Sequence, residues 1–146
     1  MIKEQYKYSD LTEKIIGCAM KVHNTLGNGF QEVIYQRALA LQMAADGLGF
    51  QREANMPIYY LETQIGERRV DFFVEEKICV EIKATSMLEP AHFAQTRNYL
   101  EAFNMEVGLL INFGTVSLVY RRLENPKFNP YLINHAKPSS LSQKSI

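Results

Sequence analysis

The stretch RVDFFV-EEK-ICVEIK, residues 69–83, decides how this chain folds. Both ends are apolar and rich in β-branched or aromatic residues, and the polar centre can turn, so the stretch predicts a β-hairpin. Residues two apart in a strand share a face. Glu81 and Lys83 therefore point to one side of the second strand. The opposite side, which points into a core, carries Ile78, Val80 and Ile82.

The register of this hairpin decides whether Asp71 lies beside Glu81. A turn over residues 75–77 pairs Val74 with Ile78 and places Asp71 opposite Glu81, whereas a two-residue turn would send Asp71 to the other face. Two-residue turns favour Gly or Asn at positive φ. The sequence has neither here. The longer turn, with both carboxylates on one face next to the lysine, is therefore predicted.

Two carboxylates directly opposite one another repel, and this costs stability. A divalent cation between them would remove the cost, and a set of oxygen ligands suits Mg²⁺ or Mn²⁺ with water and substrate phosphate in the remaining positions. A lysine beside such a metal can act on the attacking water and stabilise charge on a phosphate. The alternative is a solvated strand face with an ordinary Glu–Lys pair, and the residues alone leave both interpretations open.

The length of the chain, 146 residues, predicts one domain with a sizeable core. This domain is predicted over residues 11–123, between an N-terminal arm at residues 1–10 and a C-terminal tail at residues 124–146. The tail is expected to pack through Phe128 and Tyr131 and then to be partly disordered.

The charge balance limits the possible partners. The 16 acidic and 16 basic side chains give a formal net charge of zero, which argues against a broad basic surface that coats nucleic acid. It does not exclude an enzyme whose acidic metal site offsets the basic residues that hold a phosphate backbone.

A cytoplasmic location is expected. The N-terminus lacks the apolar segment of a signal peptide, and no run approaches the ~20 apolar residues of a membrane helix. Cys18 and Cys79 lie in apolar contexts on different elements, without a CxxC motif, so reduced thiols are expected and a zinc site is not.

Helical periodicity predicts two helices before the hairpin. The first covers about residues 11–26. The second covers about residues 30–46, and its inward-facing stripe is predicted to be Ile34, Ala38, Leu41 and Ala45. Glu32 and Tyr35 lie three residues apart in the first turn of this helix and therefore share a face.

The rest of the chain alternates strands with one helix. A strand over residues 50–61 and a turn near Gly66 precede the hairpin. A loop over residues 84–89 leads to a helix that begins at Pro90, on which Gln95 and Tyr99 lie four residues apart. The apolar run 107–111 predicts a strand that is buried on both faces, and residues 116–123 predict a last strand.

Two polar residues have simple structural explanations. An acidic residue in a first helical turn, such as Glu32, interacts favourably with the helix dipole without any active site. His23 lies next to the apolar stripe of the first helix, where a buried, hydrogen-bonded histidine is expected more often than a metal ligand.

The order helix, helix, three strands, helix, two strands, with Asp and Glu-x-Lys on adjacent middle strands, resembles the PD-(D/E)XK nuclease superfamily. Within it, the chain resembles the GxxExxY family, whose pattern is present as GFQEVIY at residues 29–35. The other similar segments are VHNTLG at 22–27, RVD at 69–71, VEIK at 80–83, QTRNYL at 95–100 and GLLINFG at 108–114. The similarity spans about residues 11–123.

The resemblance implies an α/β (α+β) mixed sheet with a restriction-endonuclease-like core in the order α-α-β-β-β-α-β-β. It implies that Asp71, Glu81 and the carbonyl of Ile82 bind Mg²⁺ or Mn²⁺, that Glu32 completes this site, and that Lys83 is the catalytic lysine. Val70 stands where the superfamily name has proline.

Gln95 and Tyr99 resemble a Gln-x-x-x-Tyr motif that helps to position DNA or the metal shell.

Two functions follow from these expectations. The first is a metal-dependent nuclease that hydrolyses phosphodiester bonds, with DNA favoured over RNA as the substrate. The second is a non-catalytic module of the same fold that binds nucleic acid or a protein. The short basic inventory favours a homodimer or a partner subunit that adds affinity; it consists of Arg68, Arg69, Arg97, Arg121 and Arg122.

Overall fold

The computed structural model describes residues 8–131. Three helices and five strands follow one another in the predicted order: α1 (Ser9–Leu26), α2 (Glu32–Ala45), β1 (Phe50–Tyr60), β2 (Thr63–Val74), β3 (Ile78–Lys83), α3 (Pro90–Ala102), β4 (Val107–Asn112) and β5 (Val119–Glu124).

The five strands form one mixed sheet in the order β1-β2-β3-β4-β5. Neighbouring strands are antiparallel except for β3 and β4, which are parallel. A parallel pair needs a crossover connection, and α3 supplies it. The mixed α/β architecture predicted from the sequence is confirmed.

Helices cover both faces of the central strands. On one face α1 and α2 pack against a cluster that includes Phe72, Val80 and Leu109. On the other face Leu100 of α3 and Phe103, directly after this helix, pack in a second cluster. Every residue of β4 is buried, which confirms the prediction of a strand covered on both sides.

The buried face of α2 is shifted by about one residue from the prediction. The predicted inward-facing residues were Ile34, Ala38, Leu41 and Ala45. Leu41 is 58% exposed, while the helix buries its neighbours Tyr35, Gln36, Leu39, Ala40 and Met43. The cause is tertiary: the Tyr35 hydroxyl donates to the Gly27 carbonyl, and Gln36 reaches Asp71. These contacts rotate the helix away from the face that hydropathy alone would choose.

The turn predicted near Gly66 is also misplaced. The chain turns at Leu61 and Glu62, which have positive φ values of 48° and 61°. Gly66 lies within β2, opposite Ile58 and next to a shift in the β1–β2 register. This glycine therefore accompanies an irregularity inside the hairpin, which is a second common position for glycine in strands.

The ends of the described chain differ in part from expectation. Residues 9 and 10 belong to α1, and β5 begins at Val119 because Val116 lies in an exposed loop. Phe128 is half-buried as expected, whereas Tyr131 is 92% exposed and does not pack. Residues 1–7 of the predicted arm and residues 132–146 of the predicted disordered tail lie outside the described residues.

Cys18 and Cys79 are both free and buried. Among the helices within residues 8–131, none has the length and apolar character needed to cross a membrane.

Candidate active site

The hairpin of β2 and β3 has the predicted register, with Val74 opposite Ile78 and Phe72 opposite Val80. The turn, however, places Glu75 and Glu76 at positive φ values of 53° and 56°. The turn therefore has the predicted length, but glutamates adopt the conformation that is usual for Gly or Asn, so the absence of Gly and Asn was not a valid reason for predicting it.

Tertiary contacts stabilise this unusual turn. The Glu75 N–H donates to the Gly49 carbonyl at 2.9 Å, and the Gly49 N–H donates to the Glu75 carboxylate at 2.6 Å. The loop after α2 therefore holds Glu75 in a conformation that a glutamate seldom adopts.

Asp71 and Glu81 lie where the pairing of β2 with β3 ends. Phe72 and Val80 are the last residues whose backbones pair. Beyond them, the hydrogen bonds between the two strands are made by the side chains of Asp71 and Glu81. The Ile82 N–H donates to Asp71 Oδ2 at 2.8 Å, and the Asp71 N–H donates to Glu81 Oε2 at 3.1 Å. Each carboxylate is thus fixed by the backbone of the opposite strand.

The environment of this acid pair disfavours negative charge. Glu81 is only 8% exposed, and burial, followed by the charge of Asp71, raises its pKa from 4.5 to about 8. Burial also raises the pKa of Asp71, opposed by the hydrogen bonds from Ile82 and Gln36 and by the charge of Lys83. A buried pair of carboxylates needs a proton or a cation to offset its repulsion.

Gln36 is a site residue that sequence reasoning missed. Its Nε2 donates to Asp71 Oδ1 at 2.7 Å, so a side chain from α2 completes the fixation of Asp71. The signal for it was its position four residues after Glu32, on the same face of the helix. A glutamine in an amphipathic helix is ordinarily taken as solvent-facing, which concealed this role.

Glu32 lies at the open edge of the same site. Partial burial is the main cause that raises its pKa, Asp71 adds to the effect, and Lys83 and His92 oppose it. The structure therefore brings Glu32, Asp71, Glu81 and Lys83 into electrostatic contact. Even so, within residues 8–131 no three His, Cys, Asp or Glu side chains are arranged to hold a metal ion as they stand.

The oxygen atoms near the acid pair nevertheless suit a hard divalent cation. The Lys83 carbonyl accepts the Phe113 N–H at 2.8 Å on the β4 side of β3. Because successive carbonyls of a strand point to opposite sides, the Ile82 carbonyl points toward β2, where strand pairing has ended. Two carboxylates and one carbonyl are ligands that Mg²⁺ accepts, with waters or phosphate filling its octahedron.

Tyr99 and Gln95 lie on α3, on the face of the sheet that carries Glu81. Tyr99 is 6% exposed, and its hydroxyl oxygen accepts from Arg68 Nε at 3.1 Å and from Arg68 Nη2 at 2.6 Å. Burial raises the pKa of Tyr99, and the charge of Glu81 contributes. Gln95 lies one turn earlier and is partly exposed.

His23 is a buried structural histidine, as predicted. Its Nε2 lies 2.9 Å from the Thr115 carbonyl, which can only accept, so Nε2 carries the proton.

A family model described as the PD-(D/E)XK nuclease superfamily matches residues 9–123. Among solved structures, the crystal structure of SSO0001 is similar at 20% identity and a TM-score of 0.49, over 64% of this chain and 49% of that one. The matched part thus spans about half the length of that protein. No curated protein matches this chain. The family match covers most of the chain, from the first residue of α1 to the next-to-last residue of β5, and the mixed sheet is a restriction-endonuclease-like core. The protein therefore belongs to the PD-(D/E)XK nuclease superfamily.

Proposed function

We propose that this protein is a metal-dependent nuclease of the GxxExxY type that hydrolyses phosphodiester bonds in DNA. The observation that carries the proposal is the acid pair of half-buried Asp71 and buried Glu81, fixed where β2 and β3 separate, with Lys83 two residues beyond Glu81 on the same face. Membership of a nuclease superfamily, whose members generally use divalent metals such as Mg²⁺, supports it.

Asp71, Glu81 and the Ile82 carbonyl would hold the Mg²⁺ or Mn²⁺ ion, and Glu32 would complete the site from its open edge, directly or through water. When bound, the cation would polarise the scissile phosphate and lower the pKa of the attacking water. The raised pKa of Glu81 supports this assignment, because a bound cation would offset both causes of the shift, the burial of this carboxyl and the neighbouring charge of Asp71.

The other residues of the site would hold Asp71 in place, orient the attacking water and contact the nucleic acid. Gln36 and the Ile82 N–H fix both oxygens of Asp71, so this carboxylate has little freedom to turn away. Lys83 would orient the attacking water and stabilise the charge that develops on the phosphate. Gln95, and Arg68 held by Tyr99, would contact the nucleic acid beside the site.

The alternative is a non-catalytic binding module on the same fold. A module freed from catalysis has no need for a costly pair of neighbouring carboxylates, and neutralisation of Glu81 would stabilise it because burial and the charge of Asp71 disfavour its ionised form. The retention of Asp71, Glu81 and Lys83, with Gln36 holding Asp71, favours the enzyme. The free, buried cysteines agree with a reducing compartment, and we assign the protein to the cytoplasm.

A cleavage assay tests the proposal. Labelled linear, circular and single-stranded DNA are incubated with the purified protein in Mg²⁺, Mn²⁺ or a chelator. Lys83→Ala should lower the rate by about 10²–10⁴-fold because the group that acts on the water is lost. Lys77→Ala, which removes an exposed lysine of the β2–β3 turn, is the matched control and should cleave at the wild-type rate. Full activity of Lys83→Ala, or activity in chelator, would contradict the mechanism.

A further inference from the structure

The turn that follows β4 is bound tightly to the segment that follows β3. We name residues 112–115 the clamp turn. Asn112 is fully buried, and its Oδ1 accepts the N–H groups of Thr85 and Gly114, both at 3.0 Å. Its Nδ2 donates to the Thr85 carbonyl at 3.0 Å. One side chain therefore satisfies both backbone groups of Thr85, two residues after Lys83.

Two further contacts press the clamp turn against the end of β3. The Phe113 N–H donates to the Lys83 carbonyl at 2.8 Å. A Cβ atom added to Gly114 would overlap the backbone of Thr85 and would lie 2.6 Å from the carbonyl carbon of Ala84. Glycine is therefore required here for close approach of two backbones, not for a special φ angle.

The opposite side of the clamp turn contacts α1 and α2. His23 donates from Nε2 to the Thr115 carbonyl at 2.9 Å, and the Tyr35 ring stacks on Phe113 with centroids 4.7 Å apart. Tyr35 lies one helical turn after Glu32 on α2. The clamp turn thus connects the end of β3, which carries Lys83, with the first turn of α2, which carries Glu32.

We propose that Asn112 is a positioning residue: through Thr85 it fixes the end of β3 so that Lys83 and Glu81 keep their places relative to Glu32. The inference rests on the proposed nuclease function. Lys83 is the last residue of β3, and the chain then leaves the sheet for a loop, so without the clamp the lysine would be free to shift. Misplacement of a reacting group by about 1 Å can cost on the order of 10²-fold in rate.

The same inference gives a role to three residues that the proposed chemistry does not use. They are His23, Tyr35 and Asn112, which lie in the segments 22–27, 29–35 and 108–114. All three converge on the clamp turn.

Asn125 provides a matched control. It is also a buried asparagine, 7% exposed, and its Nδ2 donates to the carbonyls of Leu100 and Met105, both at 3.0 Å. Its Oδ1 accepts the Lys127 N–H at 2.9 Å. It therefore makes three loop-fixing hydrogen bonds, as Asn112 does, but beside the beginning of β4, at the opposite end of that strand from Asn112.

The test compares Asn112→Ala with Asn125→Ala in two measurements, made at a temperature at which both variants are folded. In the cleavage assay, Asn112→Ala should lower kcat at least about tenfold with KM within about twofold, because geometry and not affinity is lost. Asn125→Ala should melt earlier by a similar amount and keep its kcat. In hydrogen exchange, backbone amides of residues 82–86 should exchange faster in Asn112→Ala only.

An unchanged kcat in Asn112→Ala, unchanged exchange at residues 82–86, or equal loss of kcat in both variants would overturn the inference. If Asn112→Ala does not fold, Asn112→Asp, which is nearly isosteric but replaces the donor to the Thr85 carbonyl with a carboxylate oxygen that repels it, undergoes both measurements with the same expectations. If the wild type cleaves none of the DNA substrates, the proposed function fails, while the exchange measurement still decides whether Asn112 fixes the end of β3.

Discussion

Replacement of Glu81 by glutamine should remove most of the pH dependence of stability of the metal-free protein between about pH 5 and pH 8. Burial and the neighbouring charge of Asp71 raise the pKa of Glu81 from 4.5 to about 8 in the folded state. Below pH 4.5 the group is protonated in both the folded and the unfolded state. As the pH rises further, the unfolded chain releases the proton while the folded chain retains it, so stability is lost until the pH exceeds the folded pKa.

The magnitude follows from the size of the shift. One pKa unit corresponds to about 1.4 kcal/mol, so the penalty is on the order of 5 kcal/mol above pH 8 and a few kcal/mol at pH 7. A glutamine has nearly the same shape, and its Oε1 can still accept the Asp71 N–H, but it carries no charge. The variant should therefore be about as stable as the wild type near pH 4.5 and more stable at pH 8.

Urea unfolding in chelator at four pH values from 5 to 8 measures this difference. Glu67→Gln, which neutralises an exposed glutamate of β2, controls for the change in net charge and should follow the wild-type curve. If the free energies of unfolding of wild type and Glu81→Gln change in parallel with pH, Glu81 is not the buried, proton-retaining carboxyl that this account requires.

Three other substitutions are predicted from single contacts. Asp71→Asn should be less stable than Glu81→Gln by about 1–3 kcal/mol in chelator, because its NH₂ group would face either Gln36 or the Ile82 N–H; equal urea midpoints would contradict this. Tyr99→Phe should cost about 1 kcal/mol of stability, since exposed Arg68 regains water, but should reduce DNA binding in a titration more strongly; marked loss of stability with unchanged binding would make Tyr99 a core residue only. Gly114→Ala should lower the free energy of unfolding by about 1–3 kcal/mol, and with it the melting temperature, because the added Cβ would overlap the backbone of Thr85. An unchanged melting curve would refute the close approach of these two segments.

Local patterns predicted the central part of the fold well. The apolar flanks of residues 69–83 and the run 107–111 specify strands because a strand buried on both faces needs continuous apolar residues. The register of Asp71 and Glu81 was predicted correctly, although the turn that produces it depends on contacts of Glu75 with Gly49 that no local rule contains.

Residues whose role depends on distant contacts were missed or misplaced. Gln36 fixes Asp71 from 35 positions away in sequence, and the same contact rotates the face of α2 that hydropathy had predicted. The function of Asn112 likewise requires knowing that the loop after β3 returns to the end of β4, 27 positions away. Hydrophobic periodicity indicates that a helix has a buried side, but contacts with distant residues decide where that side lies and which residues it meets.

Binding of Mn²⁺ by the acid pair is the central claim, and a thermal-shift titration tests it without knowledge of the substrate. An ion that binds only the folded protein at ten times its Kd adds about 1.4 kcal/mol, enough to raise the melting midpoint by a few degrees. The wild type and Glu67→Gln should both show this rise, starting from the midpoint in chelator, and Glu81→Gln should show little of it because an anionic ligand is gone. Equal rises in wild type and Glu81→Gln would mean that the cation does not bind at Asp71 and Glu81, and the proposed active site would be wrong.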